Sequence, residues 1–306
     1  MIFRSCYQQL WEQPFFYTSN MKKLILIIFS FLSSIDLIGQ IKISGRVIDS
    51  HSKNGVSYAS LRFIPLNLGC YTDSLGYFTF DLVQSNDSDS LEISCIGYSS
   101  KKVKLLRQEL LEIELNLENT SLATVFVKAN KDNKEEISFP VKKADYFFKT
   151  SKPIEIITEI KVPNWKSNKQ VFLDRVILMS KLNAGKTPCR LKIYEVNLQG
   201  IPGEQILPLS IIINEFSFSK KKVIIDLKKY KIPITNSSYF IGIEWLTNKS
   251  STSEDISISV GITHKVTGAN SYTRIKWENY SDWVKLNQKF GYPNPPYLLA
   301  MLVTTE

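Results

Sequence analysis

Tyr239-Phe240-Ile241-Gly242-Ile243-Glu244-Trp245 places Tyr239, Ile241, Ile243 and Trp245 on one side of an extended chain and Phe240, Gly242 and Glu244 on the other. Such strict alternation is the mark of a strand, because successive side chains leave a pleated backbone on opposite faces. The same period of two runs through Ile41–Val47, Leu91–Ile96, Leu111–Leu117, Leu122–Val127, Leu191–Val196 and Ile256–Val260. Val223 to Leu227 adds a further strand. Lys104–Leu111 is compatible with one or two helical turns, but no long stretch carries a 3.6-residue period. Short strands separated by Asn, Gly, Pro and Ser predict an all-β chain of sandwiches.

With 306 residues, the chain has room for about two domains at roughly 150 residues each. Residues 41–118 carry 8 Lys+Arg against 10 Asp+Glu, whereas residues 141–306 carry 24 against 14. The net charge of +9 therefore comes from the second half, where 21 of the 24 cations are lysine. Lysine lacks the planar fork with which arginine reads phosphates and bases, so nucleic acid is not the expected partner. A solvated lysine face is the expectation. Lys128 to Lys134 is polar and charged, and is read as a linker between a domain at 41–127 and one at 135–306.

The N-terminal region is expected to be an address. Met21-Lys22-Lys23 followed by the nine apolar-rich residues Leu24 to Leu32, then Ser33, Ser34 and Gly39-Gln40, has the layout of a secretory signal peptide. Translation is expected from Met21, with residues 1–20 an extension and 21–40 removed on export. The apolar run is too short to span a bilayer, which takes about 20 such residues. The mature chain is thus expected to be periplasmic, outer-membrane-associated or secreted, with no transmembrane segment. It would keep Cys70, Cys95 and Cys189, and the reading leaves open a Cys70–Cys95 disulfide or buried thiols acting as small apolar groups.

Residues 41–127 resemble a known family. Ile43-Ser44-Gly45-Arg46-Val47-Ile48-Asp49, Ala59-Ser60-Leu61, Gly69 to Phe78 and Leu91 to Tyr98 resemble the carboxypeptidase regulatory-like domain of exported Bacteroidota proteins. That resemblance implies a seven-stranded prealbumin-like β-sandwich. Gly55-Val56, Ser60, Cys70 and Cys95 depart from the family's usual residues. Within the pattern, Asp73 is expected to accept turn N–H groups while Gly76 supplies a positive φ. Gly97-Tyr98 reads as a second turn, its phenol bonding backbone. The family's name does not bring zinc chemistry with it, since neither His51 nor His264 begins an H-x-x-E pair and no metal or cofactor is expected. The same module precedes TonB-dependent transporters, but about 170 remaining residues cannot supply a 22-stranded barrel.

Residues 135–306 resemble, more weakly, the jelly-roll-like C-terminal halves found beside this module. Trp165, Tyr272, Trp277 and Trp283 are the candidate ligand-binding residues, because flat rings stack on sugar faces. Trp245 is assigned to the core. Ser85 to Ser90 has oxygen ligands two apart but lacks the rest of a calcium loop and is read as a hairpin tip. No Gly-x-Ser-x-Gly elbow, Cys-His-Asn order or P-loop occurs. The expectation is a non-catalytic envelope module for binding, adhesion or assembly, with a glycan or an envelope protein as partner. The alternatives are a surface-polysaccharide hydrolase using carboxylates that sequence does not pair, and a structural spacer.

Overall fold

A computed structural model describes residues 41–64, 68–82, 89–105, 110–118, 134–136, 142–162, 171–182, 187–213, 218–219, 221–248, 258–277, 282–291 and 296–305. By backbone contacts the chain divides into Lys42–Phe80 with Asn86–Glu306, and Met1–Ile41 with Asp81–Ser85. The account below concerns the first of these. It is nearly all β, as the alternation predicts.

The N-terminal part is a sandwich of two sheets. One orders Tyr77–Leu82, Ile41–Asp49 and Leu110–Leu115, the last two running parallel. The other orders Leu68–Tyr71, Ser60–Phe63, Ser90–Ser94 and Lys101–Lys104, all antiparallel. Alternate side chains close the gap between them. Val47, Phe78, Leu111 and Ile113 on one sheet, and Leu61, Phe63, Leu91 and Ile93 on the other, are buried. The Phe63 and Phe80 rings meet across the layers at 6.3 Å between centroids.

Two turns hold this sandwich. Asp73 Oδ1 accepts from the N–H groups of Leu75 (2.8 Å) and Tyr77 (2.9 Å), while Gly76 takes φ +85°. A side chain at Gly76 would place its Cβ 2.5 Å from the Val47 carbonyl oxygen. Gly97 also takes φ +85°. The neighbouring Tyr98 phenol faces the Asp49 carboxylate. Burial and that carboxylate push the phenol up to about 12. Asp49 is fixed in turn by the N–H groups of Ser52 (2.6 Å) and His51 (3.0 Å).

The C-terminal part packs two larger sheets. The first runs Pro202–Gln205, Cys189–Val196, Ser238–Trp245, Ile154–Lys161, Ser271–Ile275 and Val284–Lys285, with Ile212–Ile213 also paired to Cys189–Val196. The second is centred on Phe172–Leu182, which pairs with Lys222–Asp226, Ile232–Pro233, Ile258–Thr263 and Ala300–Thr305. Lys134–Glu136 pairs with Ala300–Thr305, and Tyr146–Phe148 with Ile258–Thr263. Ile156, Ile193, Ile241, Ile243 and Trp245 from the first sheet share one core with Val176, Leu178, Val223, Ile225 and Val260 from the second. The Trp245 indole N–H donates to the Ile258 carbonyl at 3.0 Å, so its one polar atom is satisfied inside that core.

Cys70, Cys95 and Cys189 are free thiols. Burial pushes the Cys70 thiol up to about 12, in keeping with a cysteine that packs as a small apolar group. Residues 119–133 lie outside the described residues, and with them the expected strand at Leu122–Val127 and nearly all of the expected linker. The same holds for residues 83–88 of the polar loop.

Replacing Gly76 by Val forces a β-branched residue into the left-handed region and against the Val47 carbonyl. The variant is expected to melt roughly 5 °C lower than the parent, as a strain of about 2 kcal/mol implies. Thermal denaturation followed by circular dichroism measures this. An unchanged midpoint contradicts the turn.

Candidate functional site

The C-terminal sandwich's first sheet does not turn its second face to water. Cross-strand register sets Arg190 opposite Glu244, Glu244 opposite Glu155, and Glu155 opposite Arg274. Alternation puts these side chains away from the apolar core lined by Leu191, Ile243, Ile156 and Ile275. The result is a row across four strands, with cations at its ends and two acids in the middle. Neighbouring carboxylates repel, so the row holds only because positive groups crowd them.

Both acids are fully buried. Arg274 Nε donates to Glu155 Oε2 at 2.8 Å, and the Tyr194 hydroxyl donates to Glu155 Oε1. Glu244 Oε2 faces Arg190 Nη1 at 3.1 Å and Lys192 Nζ at 3.2 Å, and its Oε1 takes the Tyr71 hydroxyl at 2.7 Å. Lys276 Nζ lies 3.8 Å from Glu244 Oε1. Burial alone would raise the Glu244 carboxyl, but Lys192, Lys276 and Arg190, with the Tyr71 hydroxyl, hold it well below the usual carboxylate range. Burial and the facing carboxylates push the Tyr71 and Tyr194 phenols well above their usual range, so both remain donors.

Tyr71 belongs to the N-terminal sandwich, and it is one of several groups that cross from it. The Tyr71 N–H donates to Asn248 Oδ1 at 2.9 Å, and Arg190 Nη2 donates to the Tyr58 carbonyl. Trp277 reaches the other way. Its ring lies 4.7 Å from that of Tyr71, and its indole N–H donates to Ser60 Oγ at 3.2 Å. A side chain at Gly69 would meet the Trp277 ring at 2.5 Å, so the absent Cβ makes the seat for the indole. Trp277 holds φ +59°, a left-handed conformation that a bulky residue keeps only where its surroundings impose it.

The four aromatic residues singled out from sequence are thus dispersed. Trp165 lies outside the described residues. Tyr272 is 6% exposed and packs edge-on against Phe240, inside a small cluster with Ile157 and Tyr194. Trp277 is seated on the N-terminal sandwich. Trp283 is half-buried, with its ring 4.3 Å beneath the Arg274 guanidinium and edge-on to Tyr194. No exposed row of rings forms among the described residues. The charged row was missed by sequence reading because its members are spread from Glu155 to Arg274. The available signal was a charge at an alternate position in each of four strands. Lys192, expected in a solvated face, is instead buried in this row.

Comparison with known proteins supports the N-terminal reading. Residues 43–139 match the model of the CarboxypepD_reg-like domain, which extends past the boundary drawn from sequence at 127. No curated protein matches the chain. Among solved structures, the clostridial cysteine protease Cwp84 after propeptide cleavage is similar at 12% identity and TM-score 0.40, over 58% of this chain and 41% of that one. A DUF3823 family protein from Bacteroides ovatus is similar at 9% identity and TM-score 0.21, covering 80% and 97%. The major pilin subunit BcpA of Bacillus cereus is similar at 10% identity and TM-score 0.20, covering 78% and 64%. The chain thus spans about two fifths of the Cwp84 structure.

Glu244→Gln leaves three cations around a neutral amide and is expected to cost about 3–5 kcal/mol, the usual penalty for breaking a buried pair from one side. The pH dependence has a definite sign. Because folding depresses the Glu244 carboxyl, its contribution is complete above the ordinary glutamate value of 4.5 and is lost as pH falls from there toward the folded value. Urea titrations at pH 7, 4.5 and 3 should show the parent losing stability on acidification and Glu244→Gln losing less. Parallel pH curves for the two proteins would rule the row out as a source of stability.

Proposed function

We propose, from the premise that residues 43–139 are a CarboxypepD_reg-like domain, that this chain is an exported, non-catalytic module of the cell envelope serving assembly or binding. The observation that carries this reading is the state of its paired acids. Glycoside hydrolysis asks one carboxyl to stay protonated and both to reach the substrate. Glu155 and Glu244 stand side by side but are fully buried, and Glu244 is held in its charged form by three cations. Their arrangement serves cohesion between the sandwiches.

Other features agree with this role. No helix among the described residues is long and apolar enough to cross a membrane. The n-region at Met21–Lys23 and the apolar run after it support export. An envelope protein or a glycan is the partner the architecture suits. Trp283, partly open and backed by Arg274, is the aromatic side chain best placed to meet a ligand. Trp277 and Tyr272 support the frame.

A panel of envelope and plant polysaccharides tests the reading. Incubation with the full chain is expected to release no reducing ends, and any glycan captured on an array is expected to be lost in Trp283→Ala. Turnover that disappears in Glu244→Gln, with the folded circular dichroism signal retained, would replace this reading with a hydrolase.

A further inference from the structure

Strand pairing sets a lysine amine against a glutamine amide on the second face of the first C-terminal sheet. Gln205 stands opposite Tyr194 in the antiparallel pair of Cys189–Val196 with Pro202–Gln205, and Lys192 lies two residues from Tyr194 on the same face. The two side chains are therefore diagonal neighbours, and Lys192 Nζ donates to Gln205 Oε1 at 3.0 Å. The same nitrogen lies 3.2 Å from Glu244 Oε2. Lys192 is 3% exposed and Glu244 is fully withdrawn from water. An amine, an amide and a carboxylate thus meet at one desolvated point.

Hydrogen bonding alone leaves two features of this point unexplained. With Oε1 turned to Lys192, the Gln205 Nε2 is a buried donor that meets no acceptor among the described residues. Such a group in a native protein ordinarily has a partner or a chemical role. The second feature is charge. Arg190, Lys192, Lys276 and Arg274 face two carboxylates, Glu244 and Glu155, so these six groups carry two positive charges in excess. A reaction that discharges Lys192 and releases the Gln205 nitrogen removes one of those charges and the stranded donor together.

We propose that Lys192 and Gln205 join in an isopeptide bond, with Glu244 carrying the proton. Glu244 takes one proton from the Lys192 ammonium, and the freed lone pair forms a bond from Nζ to the Gln205 Cδ. The Cδ–Nε2 bond then breaks, and the nitrogen departs as ammonium, having taken the proton held by Glu244 and a second one from Nζ. The products are a neutral secondary amide, an ammonium ion and the restored Glu244 carboxylate, so no oxidant, cofactor or water is consumed. Proton transfer to Glu244 is uphill, because its cations favour the charged form. The reaction is consequently a slow, single event in each chain, helped by the fixed proximity of the reactants and made one-way by the escape of ammonium. Arg190 and Lys276 remain to hold Glu244 afterwards. The bond ties the edge strand Pro202–Gln205 to its neighbour and is independent of any ligand at Trp283.

The sequence supplies a direct readout, since no Lys or Arg occurs from 193 to 219. The purified protein is denatured and digested with trypsin, which cuts after a free Lys192 but not after a linked one, and the peptides are weighed by mass spectrometry. The expected product is a single peptide of residues 191–220, uncut after Lys192 and one ammonia lighter than its sequence. Lys192→Arg and Gln205→Leu, each checked for folding by circular dichroism, should both give residues 193–220 as a separate peptide at full mass. Glu244→Gln with the parent's circular dichroism should be largely unlinked, and full linking in that variant overturns the part assigned to Glu244. Cleavage of the parent after Lys192, with both fragments at full mass, overturns the proposal. So does an ammonia loss within residues 193–220 that persists in Lys192→Arg, which places the loss at another side chain.

Discussion

The row Arg190–Glu244–Glu155–Arg274 is the constraint from which the rest of this structure follows. A sheet with one apolar face can leave its other face in water, and then charged residues there need nothing from the protein. Here that second face holds two adjacent carboxylates that are entirely withdrawn from solvent. Withdrawal is tolerable only with several positive groups and donors in place. Some of those donors come from outside the sheet. Tyr71 brings its hydroxyl from the N-terminal sandwich, and Arg190 returns a hydrogen bond to the Tyr58 carbonyl. The N-terminal sandwich is thereby part of the C-terminal sandwich's electrostatic balance.

Trp277 gives the same junction an apolar component. Its ring fills the space left by Gly69 and lies on Tyr71, while its one N–H is met by Ser60. Large aromatic side chains with a single satisfied polar atom are the usual anchors of tight interfaces. The left-handed backbone at Trp277 is the conformational cost of aiming that ring across the junction. Hydrogen bonds of Tyr71 and Arg190 cross between the two bodies and the indole fills the gap beside them.

The strands were legible because a half-buried strand writes its period into the sequence. Tyr239, Ile241, Ile243 and Trp245 face the core as their alternation says. The turn at Asp73 to Gly76 was legible for a local reason, since an Asp that accepts N–H groups two and four residues on is recorded in contiguous residues. The charged row was not legible. Lys192 reads as one more lysine in a lysine-rich half, and Glu155 and Arg274 are 119 residues apart. Only strand pairing makes them neighbours, and pairing is a long-range property that period two leaves undetermined. The places of the aromatic residues were undetermined for the complementary reason. A tryptophan in a loop context serves equally to greet a ligand or to dock a second domain, and the partner surface at Gly69 lies more than 200 residues away in the chain.

The central claim is that the two sandwiches are joined through this junction and melt as one. Differential scanning calorimetry of residues 41–306 tests it most directly. The account predicts a single transition whose calorimetric and van't Hoff enthalpies agree, and that separates into two when Tyr71→Phe and Trp277→Ala are combined. Two independent transitions in the unmodified protein would contradict it.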